Sequence, residues 1–166
     1  MNTTLTGQLA EFATSDLQPT GLARQMARLS ALDWLACGIA GTEEPVSRLL
    51  RDQALSEAGA PQATLFGSSQ VPARMAALAN GTISHALDYD DTHFAHIGHP
   101  SVAVIPAALA VAEQVGAGRN AMKIAALIGM ELSIRTGLWL GRGHYQVGFH
   151  QTATAGAFGA AAAAGR

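Results

Sequence analysis

Apolar residues recur every three or four positions through most of this chain. One stretch shows the pattern clearly, with Leu22, Met26, Leu29 and Leu32 on one face and Arg28 on another. This spacing is typical of an amphipathic helix. The same reasoning predicts helices over residues 5–13, 22–40, 45–58, 73–87, 100–115, 120–140 and from 151 onward. Only residues 63–66 are expected to be extended, so the predicted fold class is all-α, with residues 1–166 forming a single domain.

Helix ends follow from a few residues with local preferences. Pro45 suits the first turn of a helix, and Ser101 and Asn120 are expected to cap the helices that follow them. Pro106 is expected to kink its helix or to restrict that helix to its C-terminal part. Gly141, followed by a second glycine two residues later, is expected to end the long helix before it.

Composition narrows the class of protein. Hydrophobic residues make up 49% of the chain, enough for a core, whereas charged residues make up only 13%, well below the usual value of about 25%. We therefore expect a partner subunit or a further domain to cover part of the surface. The net charge of −2 gives no electrostatic reason to expect nucleic acid.

Localisation is inferred from Cys37 and from the apolar runs. Cys37 is the only cysteine, so no disulfide framework exists and a reducing compartment is expected. The N-terminus lacks a basic region followed by an apolar one, and no apolar run reaches the roughly 18 residues of a spanning helix. A cytoplasmic protein without a membrane segment is therefore expected. The last helix is almost entirely Ala and Gly, and from this we expect the sequence to be a piece of a longer chain.

Residues 85–101, H-A-L-D-Y-D-D-T-H-F-A-H-I-G-H-P-S, concentrate the polar chemistry. The stretch holds four of the six histidines and three aspartates: His85, His93, His96, His99, Asp88, Asp90 and Asp91. Imidazole titrates near neutral pH, so a histidine there can transfer a proton or, when protonated, bind a carboxylate. The crowded aspartates are expected to divide between capping the next helix, orienting histidines and acting as a base.

Each histidine also has a structural interpretation. His85 lies at a predicted helix end, which favours a hydrogen-bonded structural role, and His93 and His96 fit surface loop positions. His99 precedes Pro100, which favours extended backbone, and it is the strongest candidate for substrate contact. Isolated histidines such as His144 and His150 are usually structural.

A metal site is the main alternative to acid–base chemistry in this stretch. His93, His96 and His99 recur every three residues with aspartates nearby, and histidine with carboxylate is a common ligand set. Against it, no H-E-x-x-H motif occurs, and Gly98 interrupts any shared helical face. Glu131 is also unusual inside an apolar helix, but Arg135 four residues later favours a structural ion pair. Glycine-rich phosphate-binding motifs and G-x-S-x-G are absent.

Several ordered motifs together resemble the MmgE/PrpD family. They are N-G-x-x-x-H-A-L-D (80–88), D-Y-D-D-T (88–92), G-H-P-S (98–101), I-G-M-E (128–131) and G-H-Y-x-x-G-F-H followed by T-x-T-x-G (143–156). Family members include 2-methylcitrate dehydratase, cis-aconitate decarboxylase and iminodisuccinate epimerase. The resemblance covers nearly the whole chain from the first helix onward.

This resemblance implies a large all-helical domain, built from both ends of a longer chain, with an inserted α/β domain. It also implies a homodimer and acid–base chemistry on small di- or tricarboxylates without metal or other cofactor. The family's active-site pattern falls on Asp88, Thr92, His99 and His150, with Asp88, His99 and His150 in catalytic roles and Thr92 binding substrate alongside Asp88 and His99. His93 and His96 lie in a loop of variable length and carry nothing over.

The chain departs from the family in two respects. The family also uses lysines from later in the chain, and the only lysine here, Lys123, matches none of them. The α/β domain is absent. The resemblance therefore implies the N-terminal part of the helical domain, with about half of a catalytic site. The implied activity is a lyase like 2-methylcitrate dehydratase; the alternatives are an epimerase or decarboxylase of the same family, or a non-catalytic helical assembly protein.

Overall fold

The computed structural model describes residues 4–166, and within them the chain is helical with one short hairpin. The helices and strands are α1 (Leu5–Thr14), α2 (Gly21–Gly41), α3 (Pro45–Ser56), β1 (Ala63–Thr64), β2 (Gln70–Val71), α4 (Ala73–His85), α5 (Pro100–Val115), α6 (Arg119–Gln146) and α7 (Gln151–Gly165). The all-α prediction is confirmed, and the expected extended piece is one strand of an antiparallel hairpin.

The apolar core has two parts joined by one aromatic contact. One part packs the hairpin against α3 and α4, and the other packs α2, α5, α6 and α7 together. Phe66 touches both and meets Trp34 with ring centroids 5.0 Å apart. Buried Asn80 holds the hairpin to α4: its Oδ1 accepts from Phe66 N and its Nδ2 donates to Thr64 O, both at 2.8 Å.

Pro106 does not restrict α5 to its C-terminal part, which was one of the two expected outcomes. The helix continues from Pro100 to Val115 with Pro106 buried inside it. Proline removes the one N–H that would bond to the carbonyl four residues earlier, which is that of Val102. That carbonyl faces Gly81 of α4, where an added Cβ would lie 3.2 Å from it. Close packing on α4 therefore accommodates the disrupted turn.

The long helix α6 also differs from the prediction at both ends. It starts at Arg119 after Gly118, so Asn120 lies inside the first turn and is not the cap. At Gly141 the backbone adopts φ 71° and ψ 177°, and helix then resumes to Gln146. The predicted stop at Gly141 is therefore a kink, because glycine alone tolerates this φ without strain.

The Ala- and Gly-rich α7 packs tightly against α6, as its composition predicted. An added Cβ on Gly159 would lie 2.5 Å from Gly129 O, and one on Gly129 would lie 2.6 Å from Gly159 O. No side chain larger than hydrogen fits at this crossing. The contact fixes the start of α7, which carries residues of the site described below.

The apolar stripe of α2 faces outward, which the sequence pattern did not predict. Its large residues are all exposed: Leu22, Met26, Leu29, Leu32, Leu35 and Ile39. The buried side of α2 instead presents Trp34, Cys37 and small residues. Periodicity identified the helix correctly but could not tell which of its two apolar faces packs against this chain.

Among the described helices, α6 has the length and apolar composition of a membrane-spanning segment. Half of that window is buried against the rest of the protein. Core helices of globular proteins have the same character, so this finding gives no support for a membrane span.

Candidate active site

The polar stretch folds into a loop between α4 and α5 that brings two histidines and two aspartates together. His85 ends α4, His99 immediately precedes α5, and Asp88 and Asp90 lie between them. The two imidazole rings meet edge to face, with centroids 4.8 Å apart. Residues far apart on an extended chain thus converge because the two helices that flank the loop pack against each other.

Asp90 lies at the centre of this group, and its side chain is 0% exposed. Its Oδ1 lies 2.7 Å from Nδ1 of His85, and its Oδ2 lies 3.3 Å from Nδ1 of His99. The Asp90 carbonyl oxygen is 3.0 Å from the same Nδ1 of His99. A carboxylate and a carbonyl only accept hydrogen bonds, so each Nδ1 must carry the proton. In a neutral ring, Nε2 is then the free base.

Asp88 closes the other side of the group. Its Oδ1 lies 3.7 Å from Nε2 of His85 and 3.6 Å from Nε2 of His99. The side chain is 77% exposed, and the backbone adopts φ 55°, a left-handed conformation unusual for a residue other than glycine. The tight turn between the helix end and Asp90 imposes this conformation and points the carboxylate at both rings.

Asp91 caps the next helix. Its Oδ1 accepts from the N–H and the hydroxyl of Ser101, at 3.1 and 2.7 Å. Its own N–H donates to Asp33 on α2 at 2.8 Å. A carboxylate at a helix N-terminus is favoured by the unpaired N–H groups there. Ser101 is therefore not the cap expected from the sequence: α5 begins at Pro100, and Ser101 donates to the capping carboxylate.

The start of α7 lies beside the loop. The N–H of His99 donates to Thr152 Oγ1 at 3.1 Å. His150, the residue before α7, packs its ring on Tyr145 with centroids 5.0 Å apart. His150, Thr152 and His85 line one cleft of about 610 Å³, whose other walls are mainly small apolar residues of α4, α5 and α7.

The four site residues expected from the resemblance therefore differ in how close they lie to this group. Asp88 and His99 are in direct proximity, His150 lines the adjoining cleft, and Thr92 is exposed in the loop beyond Asp91. Within residues 4–166, the Thr92 side chain makes no hydrogen bond. The crowding of aspartates and histidines predicted that aspartates would orient histidines, but it could not identify Asp90 as the one that does so or His85 as a member of the group.

The metal hypothesis at His93, His96 and His99 does not match the geometry. His96 is fully buried, with its ring between Gly98 and Gly137. The backbone N–H of His96 donates to His93 Nδ1 at 3.1 Å. In the described part of the chain, the one group of metal-ligand type is His85, Asp88, Asp90 and His99, with one ligand atom from each within 4.8 Å of the others. Those four residues could hold a cation, whereas the three predicted ones do not converge.

Glu131 and Arg135 form the ion pair that their spacing predicted, at 2.7 Å from Nη2 and 2.8 Å from Nε to the same oxygen. Arg135 also lies 5.3 Å above the Phe12 ring. Cys37 is a free, buried thiol, and burial followed by the charge of Asp33 raises its pKa. Neither feature offers a nucleophile, so the histidine–aspartate group is the main chemical site of the described residues.

His85 and His96 have opposite pKa shifts. The hydrogen bond to Asp90 raises the pKa of His85, against the effect of burial. Burial lowers the pKa of His96 to about 4, with smaller effects from His93 and His99. His85 therefore keeps its proton to a higher pH than an unperturbed histidine, and His96 is neutral at neutral pH.

The low pKa of His96 predicts a loss of stability in acid. Unfolded histidine has a pKa of about 6.5, so between pH 6.5 and 4 the unfolded state takes up a proton that folded His96 refuses. We expect the free energy of unfolding to fall by about 2 kcal/mol across that window, less than the full shift implies because the unfolded state is only half protonated at pH 6.5 and the folded state is already half protonated at pH 4. His85, with its raised pKa, has its effect above pH 6.5 and does not mask the change.

Urea denaturation at several pH values measures this dependence. In His96→Leu, which removes the titrating ring, the part of the decline in the free energy of unfolding that His96 causes between pH 6.5 and 4 should disappear. A decline as steep as that of the wild type would show that His96 is not its source.

Comparison with protein families decides the relationship. The model of the MmgE/PrpD N-terminal domain matches residues 4–166. The chain belongs to the MmgE/PrpD family. The match extends over all of the helices described above, which agrees with the helical character of that domain. A search of curated proteins found no significant match to this chain.

Proposed function

We propose that this MmgE/PrpD domain supplies acid–base groups to an enzyme that removes a proton next to a carboxylate of a small di- or tricarboxylate. The reaction proposed first is loss of water, as in 2-methylcitrate dehydratase. Family membership supports the general class, and the geometry of His99 supports the chemistry. Epimerisation and decarboxylation begin with related chemistry at the same carbon and are the alternatives.

The observation that carries the proposal is the fixed orientation of His99. The main-chain carbonyl of Asp90 accepts its Nδ1–H, and the Asp90 carboxylate lies 3.3 Å away, so the unprotonated Nε2 is presented beside Asp88. The ring is only 17% exposed, which keeps it from being fully hydrated. An imidazole with one nitrogen held by a fixed acceptor and the other free is suited to act as a general base.

The remaining roles follow the family pattern and the positions in the structure. Asp88 is proposed to hold a polar group of the substrate or to share its proton with the two rings. His150 in the cleft and Thr92 in the loop are proposed to bind substrate carboxylate or hydroxyl groups. We propose that the reaction needs no metal or other cofactor, and that lysines outside these motifs complete the charge balance.

A substrate panel tests this proposal. The full-length protein is incubated with 2-methylcitrate, citrate, cis-aconitate and iminodisuccinate in D₂O, and NMR follows product and exchange of the proton next to each carboxylate. Exchange or turnover of at least one acid is expected. The absence of both for every acid, together with no binding by calorimetry, would refute the proposal.

We also propose a cytoplasmic homodimer, in line with the family resemblance. The exposed stripe of α2 supports a covered face, because apolar patches of this extent are uncommon on free surfaces. The same stripe favours the alternative of a non-catalytic assembly protein. Sedimentation over a range of concentrations tests the dimer, and concentration-dependent assembly without carboxylate binding would favour the assembly protein.

A further inference from the structure

Asp90 holds His85 as well as His99, although His85 is not among the residues on which the family's active-site pattern falls. Nδ1 of His85 donates to the Asp90 carboxylate, and Nδ1 of His99 donates to the Asp90 main-chain carbonyl with the second carboxylate oxygen 3.3 Å away. Both Nε2 atoms therefore turn away from Asp90 toward Asp88. The site presents two oriented imidazoles around one buried negative charge.

His85 is also the member of the group that reaches the cleft. Its side chain is 35% exposed and lines the cleft together with His150 and Thr152. Among the described residues its Nε2 makes no hydrogen bond, and Asp88 Oδ1 lies 3.7 Å from it, beyond hydrogen-bond distance. The free nitrogen of His85 is thus available to a molecule in the cleft.

Charge distinguishes the two rings. The groups that surround His85 are Asp88, Asp90 and His99, with His150 on the same cleft. One buried carboxylate balances one imidazolium, and charge-assisted hydrogen bonds are the shorter ones. The His85–Asp90 distance of 2.7 Å is shorter than either contact of His99 with Asp90. His85 is the better site for the positive charge, and its raised pKa has the same cause.

We propose that His85 is a second proton-transfer residue, acting as the acid while His99 acts as the base, and that Asp90 is the positioning residue of both rings. This inference rests on the function proposed above and extends it. In the dehydration, Nε2 of His99 takes the proton next to the carboxylate and leaves the electron pair on that carbon, and the pair then forms the double bond as the C–O bond breaks. The leaving oxygen takes a proton from Nε2–H of His85 and departs as water.

The proton count is then restored between the two rings. After one turnover His99 carries the additional proton and His85 lacks one, so transfer through solvent or Asp88 returns the starting state. In a decarboxylation or epimerisation, the same acid returns a proton to carbon. No redox partner is needed for any of these steps.

The first test compares His85→Gln with His144→Gln in the full-length protein. His144 is a matched control, a partly buried histidine that bonds to Thr154 at 2.9 Å outside the group. We expect His85→Gln to lower kcat about 100-fold, with KM little changed and the alkaline limb of the kcat profile lost. His144→Gln should retain the wild-type kcat, the wild-type KM and the alkaline limb of the kcat profile. A His85→Gln enzyme that keeps the alkaline limb would overturn the assignment.

The second test examines positioning without any assay of turnover. At a pH high enough for both rings to be neutral, long-range ¹⁵N NMR of the wild type should show the single proton of each ring on Nδ1; a neutral ring with its proton on Nε2 would overturn the shared role of Asp90. Asp90→Asn should change the tautomer of His85, whereas His99 keeps its bond to the main-chain carbonyl of residue 90, and Asp91→Asn, at the neighbouring cap, should change neither ring. An unchanged His85 tautomer in a folded Asp90→Asn variant would also contradict it.

Proton exchange separates this inference from the proposed function. In D₂O, His85→Gln should still exchange the proton next to the substrate carboxylate, because His99 remains. Loss of exchange in His85→Gln would assign base chemistry to His85 and overturn its role as acid. Full activity of a His99 variant would refute the proposed function itself. Activity that EDTA removes would replace the two-histidine acid–base pair with a bound divalent cation.

Discussion

His99→Ala should lower kcat/KM by about a thousandfold, the middle of the range for losing a positioned general base. The residue's N–H bond to Thr152 is made by the backbone and survives the substitution. Pro100, which starts α5, is unchanged. We therefore expect the helices to remain, so that activity falls without loss of the fold.

The measurement combines steady-state kinetics with circular dichroism. His144→Ala serves as the control, since it removes an imidazole of similar burial outside the group. Near wild-type activity is expected for the control. If His99→Ala retained full activity with unchanged ellipticity, His99 would not be the base, and the acid–base roles assigned to the group would be wrong.

Gly137→Ala should reduce both stability and activity. Gly137 lies on α6 directly against the buried His96 ring, and an added Cβ would collide with Nδ1 of that ring. Glycine to alanine in a helix ordinarily gains about 1 kcal/mol, but overpacking of a core commonly costs about 1–3 kcal/mol. We expect a net loss of about 1 kcal/mol in the free energy of unfolding.

The effect on activity follows from the same displacement. His96 lies in the turn that joins His93 to Gly98, where His93 N–H bonds to Gly98 O at 2.9 Å. Moving that turn shifts His99, the next residue, and misplacement by about 1 Å can cost about 100-fold in rate. Gly143→Ala on the same helix is the control, since nothing lies within 4 Å of its added Cβ. Equal stability and equal activity of the two variants would show that the packing of His96 against Gly137 does not support the site.

The helical pattern and the motif residues were accessible from the sequence. Apolar spacing located every helix within a few residues, and the motifs around Asp88 and His99 led to the MmgE/PrpD family. These features are local: helix formation depends on spacing, and a motif is a contiguous string. The predicted ion pair of Glu131 and Arg135 is local in the same sense, because helix geometry alone places residues four apart on one face.

The direction in which each helix faces was decided by the tertiary structure. The α2 stripe from Leu22 to Ile39 has the spacing of a buried face, yet Trp34 and Cys37 on another side are the buried residues. Both faces are apolar enough to pack. Which face of α2 is buried depends on the neighbouring elements that pack against it. The spacing of apolar residues within α2 contains no information about those neighbours. Pro106 shows the same dependence, since its place in a continuous α5 requires Gly81 on a different helix.

The candidate site combines the two kinds of information. That the stretch from His85 to Ser101 carries the titratable groups could be read without a structure, because composition and motif order are properties of the chain. The tertiary structure was needed to show that Asp90 orients two rings, that Asp91 caps α5, and that His96 is buried against Gly137. Neighbouring residues of this loop contact different helices among α4, α5, α6 and α7, and these contacts determine the role of each residue.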